Sequence, residues 1–445
     1  MHFPSLTAIA SDLLRGETDP VRLVEEALVR ARSSSGIFIE LFAEKAISEA
    51  EAARERRASG RARSRLDGIP IAWKDLFDIA GSRTTAGSLT RSDVPVAAAD
   101  AAVVAASRRL GLIALGKTNL SEFAFSGLGM NPHFGTPTAD FSVDEPRVPG
   151  GSSSGSAIAI QRGIVAAAIG TDTAGSVRVP AAFNGLVGFK TSHRRYDKAG
   201  VFPLADTFDS IGPLAATVAD CAWLDAALRA EVEPTAATAA DAPHFAADTA
   251  LLDDPDLESA VRANLVAQLD RLAARGARVD FRPIEFLART REAIRQHGWL
   301  GAAEALALHR DALASTKREQ IDPCVVARLE AARSIGDDSQ ALLRALRRQL
   351  VGEAADELGG ATLVMPTVKH VAPPLGPLRD DIALFTRTNL ATLSLTMLCS
   401  FLDMPGLAIP SGQDPQGLPT SVLYSRPSGE EDELLSVGLW IEAAL

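Results

Sequence analysis

Three glycine-rich segments of the 445-residue chain carry residue types that enzymes use, and each implies a different chemistry. The first, Gly111-Leu-Ile-Ala-Leu-Gly116-Lys117-Thr118, satisfies the GxxxxGK[ST] pattern of a phosphate-binding loop. That motif works when an apolar strand precedes the first glycine and a pliable loop lets backbone N–H groups wrap a phosphate. Here residues 112–115 are Leu, Ile, Ala and Leu, which make a strand rather than a loop, and Ala101–Leu110 ahead of them reads as a helix. The order is inverted, so a nucleotide-binding protein is the disfavoured alternative. The second segment, Gly151-Ser152-Ser153-Ser154-Gly155, fits the G-x-S-x-G turn that presents a nucleophilic serine, here Ser153, provided that an acid and a histidine follow. His193, His244, His297, His309 and His370 do follow, but none stands in a distinctive setting.

The third pattern is much longer. It runs from Gly150-Gly-Ser-Ser-Ser-Gly-Ser-Ala157 through Gly170-Thr-Asp-Thr-Ala-Gly-Ser-Val-Arg-Val-Pro180 to Asn184-Gly-Leu-Val-Gly-Phe-Lys190. This run resembles the amidase signature, carried by a family of enzymes that hydrolyse amide bonds. Gly68-Ile-Pro-Ile-Ala-Trp-Lys74-Asp75 is similar to that family's lysine strand, Gly116-Lys-Thr-Asn119 to its second block, and Phe208-Asp-Ser-Ile-Gly-Pro213 to the segment after the signature. The resemblance is strong over residues 60–225 and patchier beyond, where Pro405–Pro410 and Gly417-Leu-Pro419 echo a C-terminal strand and loop.

The resemblance implies a cofactor-independent hydrolase, without metal, that cleaves the C–N bond of a small-molecule amide through an acyl-enzyme. In that family the nucleophilic serine follows, by 24 positions, a relay serine held by a cis peptide. Ser152 and Ser176 have that separation here, and Lys74 matches the family's base. The backbone N–H groups of Thr173, Ala174, Gly175 and Ser176 are the implied oxyanion donors. Phe125, Ser126 and Gly127 match the loop over the acyl site and are expected to line the substrate pocket. Asp172 and Arg178 are expected to brace the signature loop, and Arg178 also stands as a substrate-binding candidate for a carboxylate. Ala174 replaces a glycine common in relatives, a change associated with the allophanate-hydrolase branch. It would cost about 1 kcal/mol if the position needed positive φ. Gly417-Leu-Pro-Thr-Ser421-Val-Leu423 departs from the family's Gly-Leu-Pro-x-Gly-x-Gln. An A-type glutaminase subunit of a tRNA-dependent amidotransferase shares the signature and is the main alternative.

A lysine base must be neutral. A free lysine titrates near 10.4, so losing its proton at pH 7 costs roughly 5 kcal/mol unless burial disfavours the ammonium form. Ile69, Ile71, Ala72 and Trp73 supply that burial; a lysine without such neighbours would simply reach solvent. Ser153 and Ser154 precede Ala157-Ile-Ala-Ile and read as helix caps, leaving Ser152 for the relay.

The elements that must hold these residues alternate. Asp19 followed by Pro20 reads as an N-cap with proline in the first turn, and a second helix covers Phe42 to Arg57. From Gly68 onward, short apolar runs at Ile69–Trp73, Leu112–Leu115, Ile164–Ile169 and Leu186–Phe189 alternate with Ala-rich helical stretches. Such alternation predicts a covered, largely parallel sheet, and the resemblance implies an α/β fold with a single large mixed, mostly parallel, twisted β-sheet covered by helices on both faces. Glu231–Ala250 reads as a surface connection. Leu265, Leu269 and Leu272 mark a helix before a strand at Ala277–Phe281, and Ala361–Met365 and Gly406–Pro410 rejoin the sheet. The expected organisation is one domain: N-terminal helices in residues 1–60, the signature core in 61–225, a helical cover in 226–360 and the rest of the sheet in 361–445.

A net charge of −11 argues against nucleic acid as a partner, because phosphate binding needs clustered cations. Cys221, Cys324 and Cys399 are odd in number and far apart, which suits a reducing compartment. The opening residues lack a secretion signal and no apolar run is long enough to span a bilayer, so a cytoplasmic enzyme is expected. A homodimer is the default for soluble enzymes.

Overall fold

The computed structural model describes residues 3–139, 141 and 145–445. Among the described residues eleven strands form one sheet: β1 Phe38–Leu41, β2 Pro70–Lys74, β3 Ile113–Thr118, β4 Ala167–Asp172, β5 Val187–Lys190, β6 Ser210–Ala215, β7 His244–Asp248, β8 Arg278–Arg282, β9 Thr362–Pro366, β10 Gly406–Gln413 and β11 Pro419–Ser425. Their order is β1-β3-β2-β4-β6-β5-β10-β11-β9-β7-β8. The sheet is mixed, as expected, but it is not mostly parallel. Parallel pairing is confined to β3–β2, β2–β4, β9–β7 and β7–β8. The other neighbours run antiparallel. The physical reason lies in the connections. Helix Ala102–Arg109 provides the crossover between β2 and β3, whereas β5 and β6 are joined without a helix and β10 and β11 by a tight turn.

Two further differences, and one proline within a strand, have local causes. The sheet begins before Gly68, because Phe38–Leu41 adds an edge strand beside β3. The stretch read as a surface connection holds β7, whose Phe245, Ala246 and Ala247 are buried. Strand β6 carries Pro213, which usually argues against an inner strand; β5 pairs only with Leu214 and Ala215, so no β5 bond is needed at the proline.

Alternation along β2 shows how the site is positioned. Ile71 and Trp73 pack with Phe77, Leu112 and Ile169 on one face of the sheet. Ala72 packs with Ile113, Ala157, Ile158 and Ala168 on the other. Both faces are covered, which is why the run is continuously apolar. Lys74, two residues beyond Ala72, falls on the same face as helix Ser154–Gln161, whose N-terminus follows Ser152. Strands β2 and β4 are parallel neighbours, so Lys74 and Thr171-Asp172 emerge at one edge of the sheet. Asp19 caps helix Pro20–Arg32 through Val21 N–H at 2.9 Å, as predicted. Among the described residues no helix is long and apolar enough to cross a membrane.

Candidate active site

The end of β2 delivers Lys74 into a fully buried position where its amine meets two hydroxyls. Nζ lies 2.7 Å from Ser152 Oγ and 2.9 Å from Thr171 Oγ1, with Thr171 O at 3.5 Å. Among the described residues Lys74 forms no ion pair with a carboxylate. Burial therefore dominates its titration and lowers it from 10.5 to about 7, against the partial opposition of Asp172 and Asp209. Ser152 follows a cis peptide bond with Gly151, the arrangement the resemblance implied.

Ser176 sits in the turn before helix Arg178–Asn184, and its main-chain carbonyl accepts Ser153 N–H at 3.2 Å. That bond ties the two serine loops side by side. Among the described residues no hydrogen bond joins the Ser152 and Ser176 hydroxyls. Ser153, the alternative nucleophile, is buried at the start of helix Ser154–Gln161 and donates to Thr171 O at 3.4 Å.

Asp172 shapes the loop that carries Ser176. Its carboxylate accepts Gly175 N–H at 2.7 Å and Val177 N–H at 3.1 Å, and receives Arg178 Nε at 3.0 Å and Nη2 at 2.9 Å. Burial opposes its ionisation, but Arg178 outweighs that and holds the carboxyl at about 2. Arg178 is fully buried, and its remaining donors reach Thr396 O at 3.1 Å and Ser400 Oγ at 2.7 Å. Its expected role in binding a substrate carboxylate is therefore corrected: every end of the fork is already engaged. Gly175 needs correction too, because its N–H is given to Asp172. The N–H groups of Thr173, Ala174 and Ser176 have no acceptor among the described residues and remain available.

Ala174 is not at positive φ, so replacing glycine there strains nothing. Gly175 is the position that needs glycine: its φ is +141°, and a Cβ would run into Thr396 Oγ1. Gly175→Ala is expected to destabilise the protein by about 2 kcal/mol and to cut amide turnover at least tenfold, read by thermal unfolding and by ammonia release.

Ser176 opens onto a cavity of about 260 Å³. Phe125, Ser126, Thr173 and Ala174 line it together with Ser176. Gly127 does not line it; its N–H donates to Asn389 Oδ1 at 2.7 Å behind the wall. Trp299, Arg328, Ile335, Leu390, Leu393 and Met397 contribute further lining. Arg328 is the residue that sequence reasoning missed. It is half-buried, stacks its guanidinium 4.2 Å over the Phe125 ring and donates from Nη1 to Phe125 O. It has no carboxylate partner among the described residues, and burial pushes it down to about 10. Asp209 was also missed: it is a half-buried carboxylate that accepts the Thr173 hydroxyl at 2.5 Å, and desolvation raises its pKa.

The other candidates find structural places. Lys117 of the GxxxxGK[ST] pattern lies in β3 and pairs with buried Asp75 at 2.7 Å, so no phosphate loop exists there. Ser421 and Leu423 are buried in β11, where Ser421 Oγ bonds Thr367 Oγ1 at 2.8 Å; neither faces the cavity.

The Amidase family model matches residues 22–435. A 2-amino-5-chloromuconic acid deaminase from Comamonas testosteroni is 33% identical over 393 residues, spanning 85% of this chain and 82% of that protein. The A subunit of the glutamyl-tRNA(Gln) amidotransferase of Roseiflexus sp. (strain RS-1) is 32% identical over 98% of this chain and 96% of its own length. A crystal structure described as that of an amidase superimposes with a TM-score of 0.87 at 31% identity, covering 99% of this chain and 100% of its own. With a family model running almost end to end and relatives aligned on the same fold, the chain belongs to the amidase family and is an amide hydrolase of the amidase-signature kind.

Proposed function

We propose that the enzyme hydrolyses a small carboxamide bearing an anionic group, through an acyl-enzyme on Ser176 with Ser152 as proton relay and Lys74 as base. The observation that carries this reading is the buried amine of Lys74, unpaired with any carboxylate among the described residues and 2.7 Å from Ser152 Oγ. A neutral amine has two N–H donors and one lone pair. Thr171 Oγ1 and Thr171 O accept the donors, which leaves the lone pair for the Ser152 O–H.

When the amide carbonyl reaches Ser176, the Ser176 proton passes to Ser152 as the Ser152 proton passes to Lys74. The Ser152–Ser176 link forms with substrate in place, as catalytic hydrogen bonds often do. Ser176 Oγ bonds to the carbonyl carbon, and the negative oxygen is met by the free N–H groups of Thr173, Ala174 and Ser176. The proton then returns along the same path to the leaving nitrogen, the C–N bond breaks, and ammonia or an amine departs. Water attacks the ester by the same relay and releases the carboxylate.

Arg328 supports an anionic substrate, since a planar guanidinium with no carboxylate partner among the described residues suits a carboxylate. The relative named for acting on a chloromuconic acid fits this reading. Arg328→Met is expected to raise KM for a carboxylate-bearing amide about 30-fold with kcat nearly unchanged. Equal losses on neutral and charged amides would count against it.

A second reading is supported by the likeness to A-type amidotransferase chains: ammonia would pass to a partner acting on aminoacyl-tRNA. Purified chain alone, tested for ammonia release on a panel of amides, separates the two. Turnover without a partner supports the free hydrolase, whereas activity on glutamine appearing only with a co-purifying protein supports the amidotransferase.

A further inference from the structure

Helix Pro323–Ala331 presents Arg328 to the cavity, and something must fix where that helix stands. Two contacts tie it to the segment 122–126, which also supplies Phe125 and Ser126 to the cavity lining. One is Arg328 itself, bonded to Phe125 O. The other lies at the helix start, where Glu122 Oε2 accepts the main-chain N–H of Asp322 at 2.5 Å. Asp322 is the N-cap residue, and its own carboxylate accepts Cys324 N–H at 2.8 Å.

Glu122 is fully buried, an unusual place for a carboxylate. Its ion-pair partner among the described residues is His133, charged only when protonated, whose Nε2 stands 3.5 Å from Glu122 Oε2. The backbone that carries this imidazole is held by its own loop, since the main-chain N–H groups of His133 and Phe134 both donate to Asn131 Oδ1. Glu122 in turn raises the proton affinity of His133, first through their hydrogen-bonding approach. Glu122 Oε1 has no hydrogen-bond partner among the described residues. A half-satisfied charge in the core is a poor way to gain stability, and apolar packing would serve better. The acceptor matters instead for what it holds: the end of the helix that carries Arg328.

We propose that Glu122 is a positioning residue, whose buried carboxylate, backed by His133, pins the start of helix Pro323–Ala331 so that Arg328 meets the anionic group of the substrate. This rests on the reading of Ser176 and Arg328 given above. Glu122 touches neither the cavity nor the reacting atoms; it acts through Arg328.

The test compares two fluorophosphonate probes of equal length, one ending in a carboxylate and one in a methyl group, and follows their reaction at Ser176. Wild-type protein should prefer the carboxylate probe. Glu122→Ala should weaken binding of that probe at least tenfold while leaving its limiting rate, and all behaviour of the methyl probe, within twofold of wild type. Glu122→Gln keeps an acceptor oxygen for Asp322 N–H and should restore most of the preference. Glu122→Asp keeps the charge but falls a methylene short, so it should behave like Glu122→Ala and can replace it should the alanine variant not fold. Adding Glu122→Ala to Arg328→Met should cost nothing further. Equal slowing of both probes, failure of Glu122→Gln to rescue, or additive losses with Arg328→Met would each overturn the proposal. Absence of any reaction at Ser176 in the wild type would instead bring down the acyl-enzyme reading, and this one with it.

Discussion

Ser176→Ala should lower amide turnover by about 10⁴-fold while leaving thermal unfolding within a degree or two of wild type. The large kinetic effect follows from chemistry: without Oγ no acyl-enzyme forms, and what remains is transition-state stabilisation by the N–H groups of Thr173, Ala174 and residue 176. The small structural effect follows from contacts. The Ser176 side chain makes no hydrogen bond among the described residues, and it is the main-chain carbonyl that ties its loop to Ser153. Ser153→Ala offers the contrast. Its hydroxyl donates only a long bond to Thr171 O, so turnover should stay within about tenfold of wild type. A Ser153 variant as inactive as the Ser176 variant would transfer the nucleophile to the other loop.

Lys74 carries the second large effect. Removing a general base of this kind costs about 10³-fold, so Lys74→Ala should be nearly inactive at neutral pH, measured as ammonia release. Near-normal rates would exclude the lysine as base. The same group sets the pH dependence. Only the neutral amine can accept the Ser152 proton, and burial brings its titration to about 7. The rate should therefore fall about tenfold per unit on the acid side of that value and level off above it.

Stability moves in a direction the activity does not show. The folded-state value of Lys74 lies below the ordinary 10.5 of the unfolded chain. Between about 7 and 10.5 the unfolded chain binds the additional proton, so the contribution of this group to stability rises with pH across that window. Below about 7 the full penalty applies, on the order of 5 kcal/mol. Lys74→Met should thus unfold at higher temperature than wild type near pH 7, with the gap narrowing as pH climbs toward 10. A gap that does not change with pH would mean that the amine is charged in the folded protein.

How much of this could be read from the amino-acid sequence depended on how local each signal was. The strands β2, β3, β4 and β5 each sit in an apolar run bounded by turn residues, because both of their faces are buried. Strand β1 left little trace: it is four residues at the sheet edge, half-exposed, with Glu40 pointing outward. Strand β7 was hidden in alanine-rich sequence, where small buried residues look like a linker. The parallel bias was misjudged for a topological reason. Strand–helix alternation over residues 69–189 does predict parallel neighbours, but nothing in the C-terminal third reveals that β10 and β11 insert between β5 and β9.

The site divides in the same way. Lys74, Ser152 and Ser176 lie in segments whose residue types are distinctive, and the first two do meet through a hydrogen bond. Thr171 was within the signature run but carried no mark of its partnership with Lys74. Arg178 illustrates the limit of reading charge from sequence. Its role was decided by Asp172, Thr396 and Ser400, and two of those are more than two hundred positions away. Arg328 is one arginine among many in a charged helical region. Its lack of a carboxylate partner, the property that makes it interesting, exists only once the chain is folded.

The most direct test of the central claim is the pH dependence of fluorophosphonate labelling, with the modified peptide identified by mass spectrometry. The account predicts a single modification at Ser176, with a rate half-maximal near pH 7, as Lys74 loses its proton, and at least a hundredfold slower in Lys74→Ala. Modification at Ser153, or a Ser176 rate that keeps climbing toward pH 10, would contradict it.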